Sequence, residues 1–326
     1  MTIANQTKLV TVFGGSGFVG RHIVRALAKR GYRIRVAVRR PDLAGFLQPA
    51  GNVGQISFVQ ANLRFRNSVD RAVQGSDYVI NCVGILFENG RNKFDSVQDF
   101  GARAVAEAAR ATGAKLIHMS AIGADSGSSS DYARTKGLAE KAIREILPDA
   151  TILRPSIVFG PEDEFFNKFA NMARTAPFLP LVGGGKTAFQ PVYVGDIAEG
   201  VANIVDGKAL AGRIYELGGP EVLTFRQCLE IMLSEIDRQK PLVSLPFSVA
   251  SLVGSLASLV PFIAPPITAD QVKLLKRDNV VSKEAESEGR TLATLGVTPT
   301  LVASIIPSYL VHYRPAGQYA RTGKAA

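Results

Sequence analysis

Lys8-Leu-Val-Thr-Val-Phe13-Gly14-Gly-Ser16-Gly17-Phe18-Val19-Gly20 is the stretch whose reading decides the fold. Residues 8–13 form a short apolar run that stops at glycine, the pattern of a buried strand. From residue 17 to 30 the apolar positions Val19, Ile23, Val24 and Leu27 recur at helical spacing, and Gly31 stands where a helix C-cap needs left-handed backbone. A strand, a glycine loop and a helix therefore follow one another directly. Gly14 permits the tight turn, Gly17 lets a pyrophosphate approach the backbone, and Gly20 allows the helix to pack close to the sheet. The helix N-terminus offers free N–H groups and partial positive charge to phosphate oxygens. Gly14, Ser16, Gly17, Phe18, Val19 and Gly20 are thus the candidate phosphate-binding residues. Their three-residue glycine spacing departs from G-x-G-x-x-G, and such a loop alone is also compatible with an ordinary tight turn.

Outward from this loop, further strands are predicted at 33–38, 56–60, 78–83, 115–119 and 151–153, with helices at 97–111 and 132–147. The alternation implies βαβ units, a doubly wound parallel sheet of Rossmann type and an α/β fold. A helix at 196–205 and a strand at 213–217 return to the sheet, and Thr224-Phe-Arg-Gln227 has the form of a capping box that starts a helix to about residue 237. The expected organisation is a dinucleotide-binding domain at 1–160 completed by 190–218. Residues 161–189 and 219–315 make a smaller, mostly helical C-terminal lobe, and 316–326 a flexible tail.

The second strand ends in Val38-Arg39-Arg40. A site for NAD(H) usually has an acidic residue about 20 positions past the glycine loop to hold the ribose 2′-hydroxyl. Arg39 occupies that place. A guanidinium attracts a 2′-phosphate that a carboxylate would repel, so NADP(H) is favoured with NAD(H) left open. His118-Met119-Ser120 closes the fifth strand, and Tyr132-Ala-Arg-Thr-Lys136 opens the next helix. Tyr132 and Lys136, four apart, share one helical face, where an ammonium would favour tyrosinate and so a proton exchange at the phenol. Ser120 is placed to polarise a carbonyl oxygen.

These motifs together resemble the extended or atypical short-chain dehydrogenases/reductases. The resemblance implies that Tyr132 is the proton donor, that Lys136 also holds the nicotinamide ribose, and that Ser120 positions the substrate. It further implies that Asn81, Val83 and Gly84 close the fourth strand against the cofactor, and that Pro155 lines it. Asn62, followed by Leu63, stands where many members carry an aspartate near the adenine. Later segments are more specific: Leu153-Arg-Pro-Ser-Ile-Val-Phe-Gly160-Pro-Glu-Asp163, Asn167-Lys-Phe-Ala170, Gln190-Pro-Val-Tyr-Val-Gly-Asp196, Thr268-Ala-Asp-Gln271, Asp278-Asn-Val280 and Tyr313-Arg-Pro315. They resemble the branch formed by the NADPH-binding accessory subunit of respiratory complex I and its bacterial relatives. That implies a nicotinamide dinucleotide held for structure or assembly, with membrane-bound NADH:quinone oxidoreductase subunits as partners. Two alternatives stay open. One is an independent NADP(H)-dependent oxidoreductase or epimerase acting through Ser120, Tyr132 and Lys136; the other is a redox-sensing regulator.

The net charge of +10 across 326 residues is dispersed and accompanies no nucleic-acid motif, which excludes nucleic acid as the expected partner. The two cysteines, Cys82 and Cys228, have no metal-like spacing and suit a reducing compartment. His22, His118 and His312 form no ligand pattern, so no metal is expected. Gly183-Gly-Gly-Lys186 lacks the phosphate-loop frame and reads as a flexible loop. The first residues carry no leader pattern, so a cytoplasmic protein is expected, at most peripheral on the inner face of the cytoplasmic membrane. Between Lys240 and Asp270 no residue is charged. Val249, Leu252, Val253, Leu256, Leu259 and Val260 fall on one helical face there, interrupted by Pro261 and too short to span a bilayer. Burial of that face in the smaller lobe is favoured over a helix resting on a membrane surface.

Overall fold

The computed structural model describes residues 7–257 and 267–317. The chain divides into two compact units, the first made of 1–155, 194–217 and 281–298, the second of 156–193, 218–280 and 299–326.

The first unit is a seven-stranded parallel sheet. In chain order it contains β1 (Leu9–Phe13), β2 (Arg33–Val38), β3 (Ile56–Gln60), β4 (Tyr78–Asn81), β5 (Lys115–Met119) and β6 (Thr151–Pro155). The last strand, Ile214–Leu217, pairs with β6, giving the order Ile214–Leu217, β6, β5, β4, β1, β2, β3. Every residue of β1 is buried, as an apolar run flanked by strands on both sides requires. Because β1 lies between β2 and β4, the order of strand addition reverses there, and the loop after β1 opens into the crevice at the strand C-termini. Helices α1 (Phe18–Lys29), α2 (Arg66–Val73), α3 (Phe100–Thr112) and α4 (Asp131–Ile146) make four of the crossovers, and the 3-10 segment Pro41–Ala50 joins β2 to β3. One core cluster gathers Phe13, Val79, Leu116 and Ile152 of the sheet with Ala102, Ala106 and Ala109 of α3 and Ile143 of α4. The alanines let α3 approach the sheet closely.

Sequence periodicity misses α2, only 8 residues long, the tight helical segment Pro41–Ala50 and the short helix Lys283–Ser287, and it does not foresee that Asp95–Asp99, just before α3, is wound as a π-helix. The α1 C-terminus behaves as read, with Gly31 at φ +85 and Tyr32 N–H bonded back to Leu27 O at 3.2 Å. Helix Val194–Val205 completes the unit, where Arg30 of the α1 C-cap bonds Asp206 at 2.7 Å and Asn203 at 3.0 Å.

The second unit carries helices Phe166–Thr175, Phe225–Glu235 and Val302–Leu310 around a core of Phe159, Phe166, Phe189 and Phe225. Thr224 and Gln227 form the expected capping box. Three strand pairs escape a reading of the sequence because most of their strands are two residues long: Val158–Phe159 with Val192–Tyr193, Ala188–Phe189 with Leu223–Thr224, and Leu179–Val182 with Leu242–Leu245. Gly183 to Gly185 are not a flexible loop but a packed turn. A Cβ on Gly183 would lie 2.3 Å from the Phe247 ring.

The uncharged stretch also corrects its reading. Helix Phe247–Ala257 packs through Ala250 and Gly254, where a Cβ on Gly254 would come within 2.7 Å of Ala269 N. Small residues thus face the neighbouring helix Ala269–Leu274, and the apolar stripe expected to be buried points outward, with Leu252 62% exposed. Leu259, Val260, Pro261, the side chain of Leu256 and most of the tail at 316–326 lie outside the described residues. Among the described residues no helix is long and apolar enough to cross a membrane.

Candidate functional site

At the mouth of the crevice, Gly14 adopts φ +73 and its N–H bonds Ala37 O of β2 at 3.0 Å, pinning the loop to the sheet. A Cβ on Gly20 would sit 2.2 Å from Gly14 O, so this helix turn passes against the loop backbone with no room for a side chain. Gly17, the N-cap of α1, supplies no side-chain cap, which leaves the first-turn N–H groups of Phe18, Val19 and Gly20 for an incoming ligand. Arg21 braces the loop from behind, bonding Ser16 O at 2.9 Å and Gly17 O at 3.2 Å and lying over the Phe46 ring. A bare glycine loop at a positive helix end fits a pyrophosphate.

The opposite wall follows β4. The Asn81 side chain accepts from Val83 N–H at 3.1 Å and fixes the turn, and Val83 lies 3.2 Å from where a Cβ of Gly14 would be. A Cβ on Gly84 would lie 3.5 Å from Lys136 Nζ. Phosphate loop, β4 turn and Lys136 are therefore brought together. Asn81 also meets His118 Nδ1 at 3.3 Å, while His118 Nε2 has no partner among the described residues. Burial, reinforced by Lys136, pushes the His118 imidazole down to about 3. Burial pushes the Cys82 thiol up to about 12, so it is inert.

Helix α4 starts at Ser130, whose hydroxyl caps Ala133 N–H, and presents Tyr132, Lys136 and Glu140 at four-residue intervals. Lys136, 4% exposed, donates to Met119 O at 2.9 Å. Burial lowers its ammonium to about 8, against the opposing pull of Glu140. The Tyr132 ring meets Phe94 edge-on at 6.0 Å, and burial raises its phenol to about 12. The spacing predicts a phenol lowered by the neighbouring ammonium; burial instead moves it upward.

Ser120 is placed differently from the expectation. Its hydroxyl donates to the Glu140 carboxylate, and the residue is 4% exposed. Glu140 in turn is held by Arg154, with Nε to Oε1 at 3.0 Å and Nη2 to Oε2 at 2.6 Å, and Arg154 reaches Glu216 at 3.5 Å. Glu140 and Arg154 are the residues that sequence reasoning missed. The signal was present for Glu140, which continues the Tyr132–Lys136 face by one more turn.

At the far end of the crevice, β2 and β3 deliver the remaining candidates. Arg39, exposed, bonds Asn92 Oδ1 at 3.2 Å, whereas Arg40 is taken up by Asp42 at 2.8 Å. Asn62 Oδ1 accepts from Arg64 N–H at 3.2 Å, and Leu63 is buried under Gly101. Pro155 ends β6, its carbonyl accepting from Ile122 N–H at 3.0 Å. Among the described residues no cluster of His, Cys, Asp or Glu could hold a metal.

Residues 10–218 match the family described as NAD dependent epimerase/dehydratase. The chain is 34% identical over 320 residues to "NADH dehydrogenase [ubiquinone] 1 alpha subcomplex subunit 9, mitochondrial" of Arabidopsis thaliana, covering 95% of this chain and 79% of that protein. The mouse protein of the same name is 34% identical over 90% of this chain and 77% of its own length. Among solved structures, the UDP-glucuronic acid 4-epimerase of Bacillus cereus, in complex with UDP-glucuronic acid and NAD, superposes with a TM-score of 0.71 at 17% identity, covering 94% of this chain and 98% of that one.

Proposed function

The chain belongs to the NAD-dependent epimerase/dehydratase family, and from that premise we propose that it is a nucleotide-holding accessory or assembly subunit of a respiratory NADH:quinone oxidoreductase, with NADP(H) as its dinucleotide. The assembly role rests on the likeness to complex I subunits along nearly the whole chain. The observation that carries the holding role is the direction of the Ser120 hydroxyl. It is committed to the buried Glu140 carboxylate, itself held by Arg154, so the hydroxyl is already occupied within the fold. Tyr132 and Lys136 remain suited to gripping ribose hydroxyls, and the glycine loop to gripping the pyrophosphate. When bound, the nicotinamide supplies a hydride-carrying ring; the chain's own residues supply its seat.

The preference for NADP(H) is supported by Arg39 at the end of β2, where a carboxylate would select NAD(H). The exposed apolar stripe of helix Phe247–Ala257 supports a peripheral contact with a membrane or a membrane-bound subunit, on the cytoplasmic side. The second reading, an independent NADP(H)-dependent oxidoreductase or epimerase, is favoured by the presence of both Tyr132 and Lys136.

Tyr132→Phe separates the two. On the holding reading the variant loses only the phenol's one ribose contact, about tenfold in affinity, and keeps its place in the assembly with nucleotide still present per chain after purification. Abolition of a measured carbonyl reduction, with nucleotide retained, would establish the enzyme instead.

A further inference from the structure

Arg39 and Arg64 carry charge that no carboxylate balances. Among the described residues neither forms an ion pair; each is held by neutral acceptors. Arg39 donates to Asn92 Oδ1 at 3.2 Å, and Arg64 donates from Nη1 to Arg91 O at 3.2 Å and from Nε to Asn62 Oδ1 at 3.4 Å. Arg40, by contrast, is neutralised by Asp42. Arg39 directly follows β2, and Arg64 lies four residues past β3. Those strands are paired at Val38 and Gln60, and Ala61 N–H bonds Val38 O at 2.9 Å, so the two guanidinium groups rise from adjacent strand ends.

Both are tied to one short turn. Asn89 and Asn92 close it with reciprocal backbone bonds of 3.1 and 3.0 Å, and Gly90 supplies φ +54. Glu88 clamps its flanks, pairing with Lys93 at 3.0 Å and accepting from Phe94 N–H at 2.9 Å. The segment is also anchored upstream, where Gln98 donates to Ile85 O at 2.8 Å and itself accepts from Thr135 of α4 at 3.0 Å. Two like charges bonded to neighbouring residues of one braced turn, with no carboxylate partner among the described residues, form a receptor that a dianion completes.

We propose that the turn at 89–92 is a strap that sets Arg39 and Arg64 as a two-arginine clamp for the adenosine 2′-phosphate, with Arg64 a specificity-determining residue and Asn92 a positioning residue. This rests on the reading of the site as one for NADP(H). Phosphate oxygens replace the neutral acceptors on the guanidinium forks, while the turn keeps the two cations at the strand ends. The strap makes dissociation of the phosphorylated nucleotide slower than that of its unphosphorylated counterpart.

The test is binding of NADPH, NADH and adenosine 2′,5′-bisphosphate to the full chain stripped of nucleotide. It compares wild type with Arg39→Asp, Arg64→Leu, Arg64→Lys and Asn92→Ala. Loss of one charge-assisted contact corresponds to about tenfold in affinity. Arg64→Leu is expected to weaken NADPH and the bisphosphate about tenfold or more and to leave NADH within about twofold. Arg64→Lys keeps the charge but loses the fork and falls between. Asn92→Ala speeds NADPH release without changing that of NADH. Equal losses of NADPH and NADH in Arg64→Leu, while Arg39→Asp still discriminates, would overturn the clamp and leave the NADP(H) reading standing. Failure of Arg39→Asp to discriminate would overturn that reading and the clamp with it.

Discussion

Single side chains in this site are governed by how deeply the fold removes them from water. His118 is the clearest case. Its imidazole is 2% exposed, and burial holds it neutral down to about pH 3. In the unfolded chain the same group takes up a proton near its ordinary value of about 6.5. Between those values the unfolded state binds the extra proton, so acidification from pH 6.5 towards 3 draws the equilibrium towards unfolding. The slope approaches ~1.4 kcal/mol per pH unit for this one group. Urea denaturation of wild type and His118→Gln at pH 7, 6 and 5 should show the stability difference shifting in the variant's favour as pH falls. Parallel pH profiles would contradict this account of His118. Lys136 follows the same rule, its ammonium lowered to about 8 by burial while it donates a hydrogen bond to Met119 O.

Among the secondary-structure elements, α4 and its neighbouring strands are joined by charge as well as by apolar packing. Ser120 after β5, Glu140 on α4, Arg154 on β6 and Glu216 on the returning strand form one continuous chain of bonds. Both carboxylates are nearly buried and share the guanidinium between them. Arg154→Ala removes the guanidinium between them, leaving Glu140 to Ser120 and Lys136 and Glu216 to Ser282 N–H, and is expected to cost about 3 kcal/mol, read as a lowered urea midpoint. Adding Glu140→Gln should recover part of that loss; an unchanged midpoint in Arg154→Ala would show that the network does not stabilise the fold. None of this network was legible as such. The alternation of strands and helices, the glycine loop and the Tyr132–Lys136 face were, because period, turn chemistry and four-residue spacing are local properties of the chain. Glu140 and Arg154 lie 14 positions apart, and only the crossover of α4 onto β6 brings them together. The outward stripe of helix Phe247–Ala257 was misread for a related reason. Apolar periodicity identifies a face but not its occupant, and Gly254 made the opposite face the closer-packing one.

For the molecule as a whole, the fold and the family were recoverable from the sequence, since the resemblance to extended short-chain dehydrogenases/reductases and their complex I branch agrees with the family match and the relatives. A dinucleotide fold can serve many activities, so the sheet alone does not assign one. In this chain Lys136 donates to Met119 O and the Ser120 hydroxyl is turned inward to Glu140. Helix Phe247–Ala257 adds exposed apolar side chains, Val249, Leu252 and Val253. Such a chain is expected to act by holding a nucleotide within a larger assembly. The most direct test is to tag the protein at its native locus, purify it in mild detergent, and determine its partners and bound nucleotide in one preparation. The account predicts subunits of the NADH:quinone oxidoreductase together with near-stoichiometric NADPH. A free protein that exchanges NADP(H) readily and turns over a carbonyl substrate would contradict it.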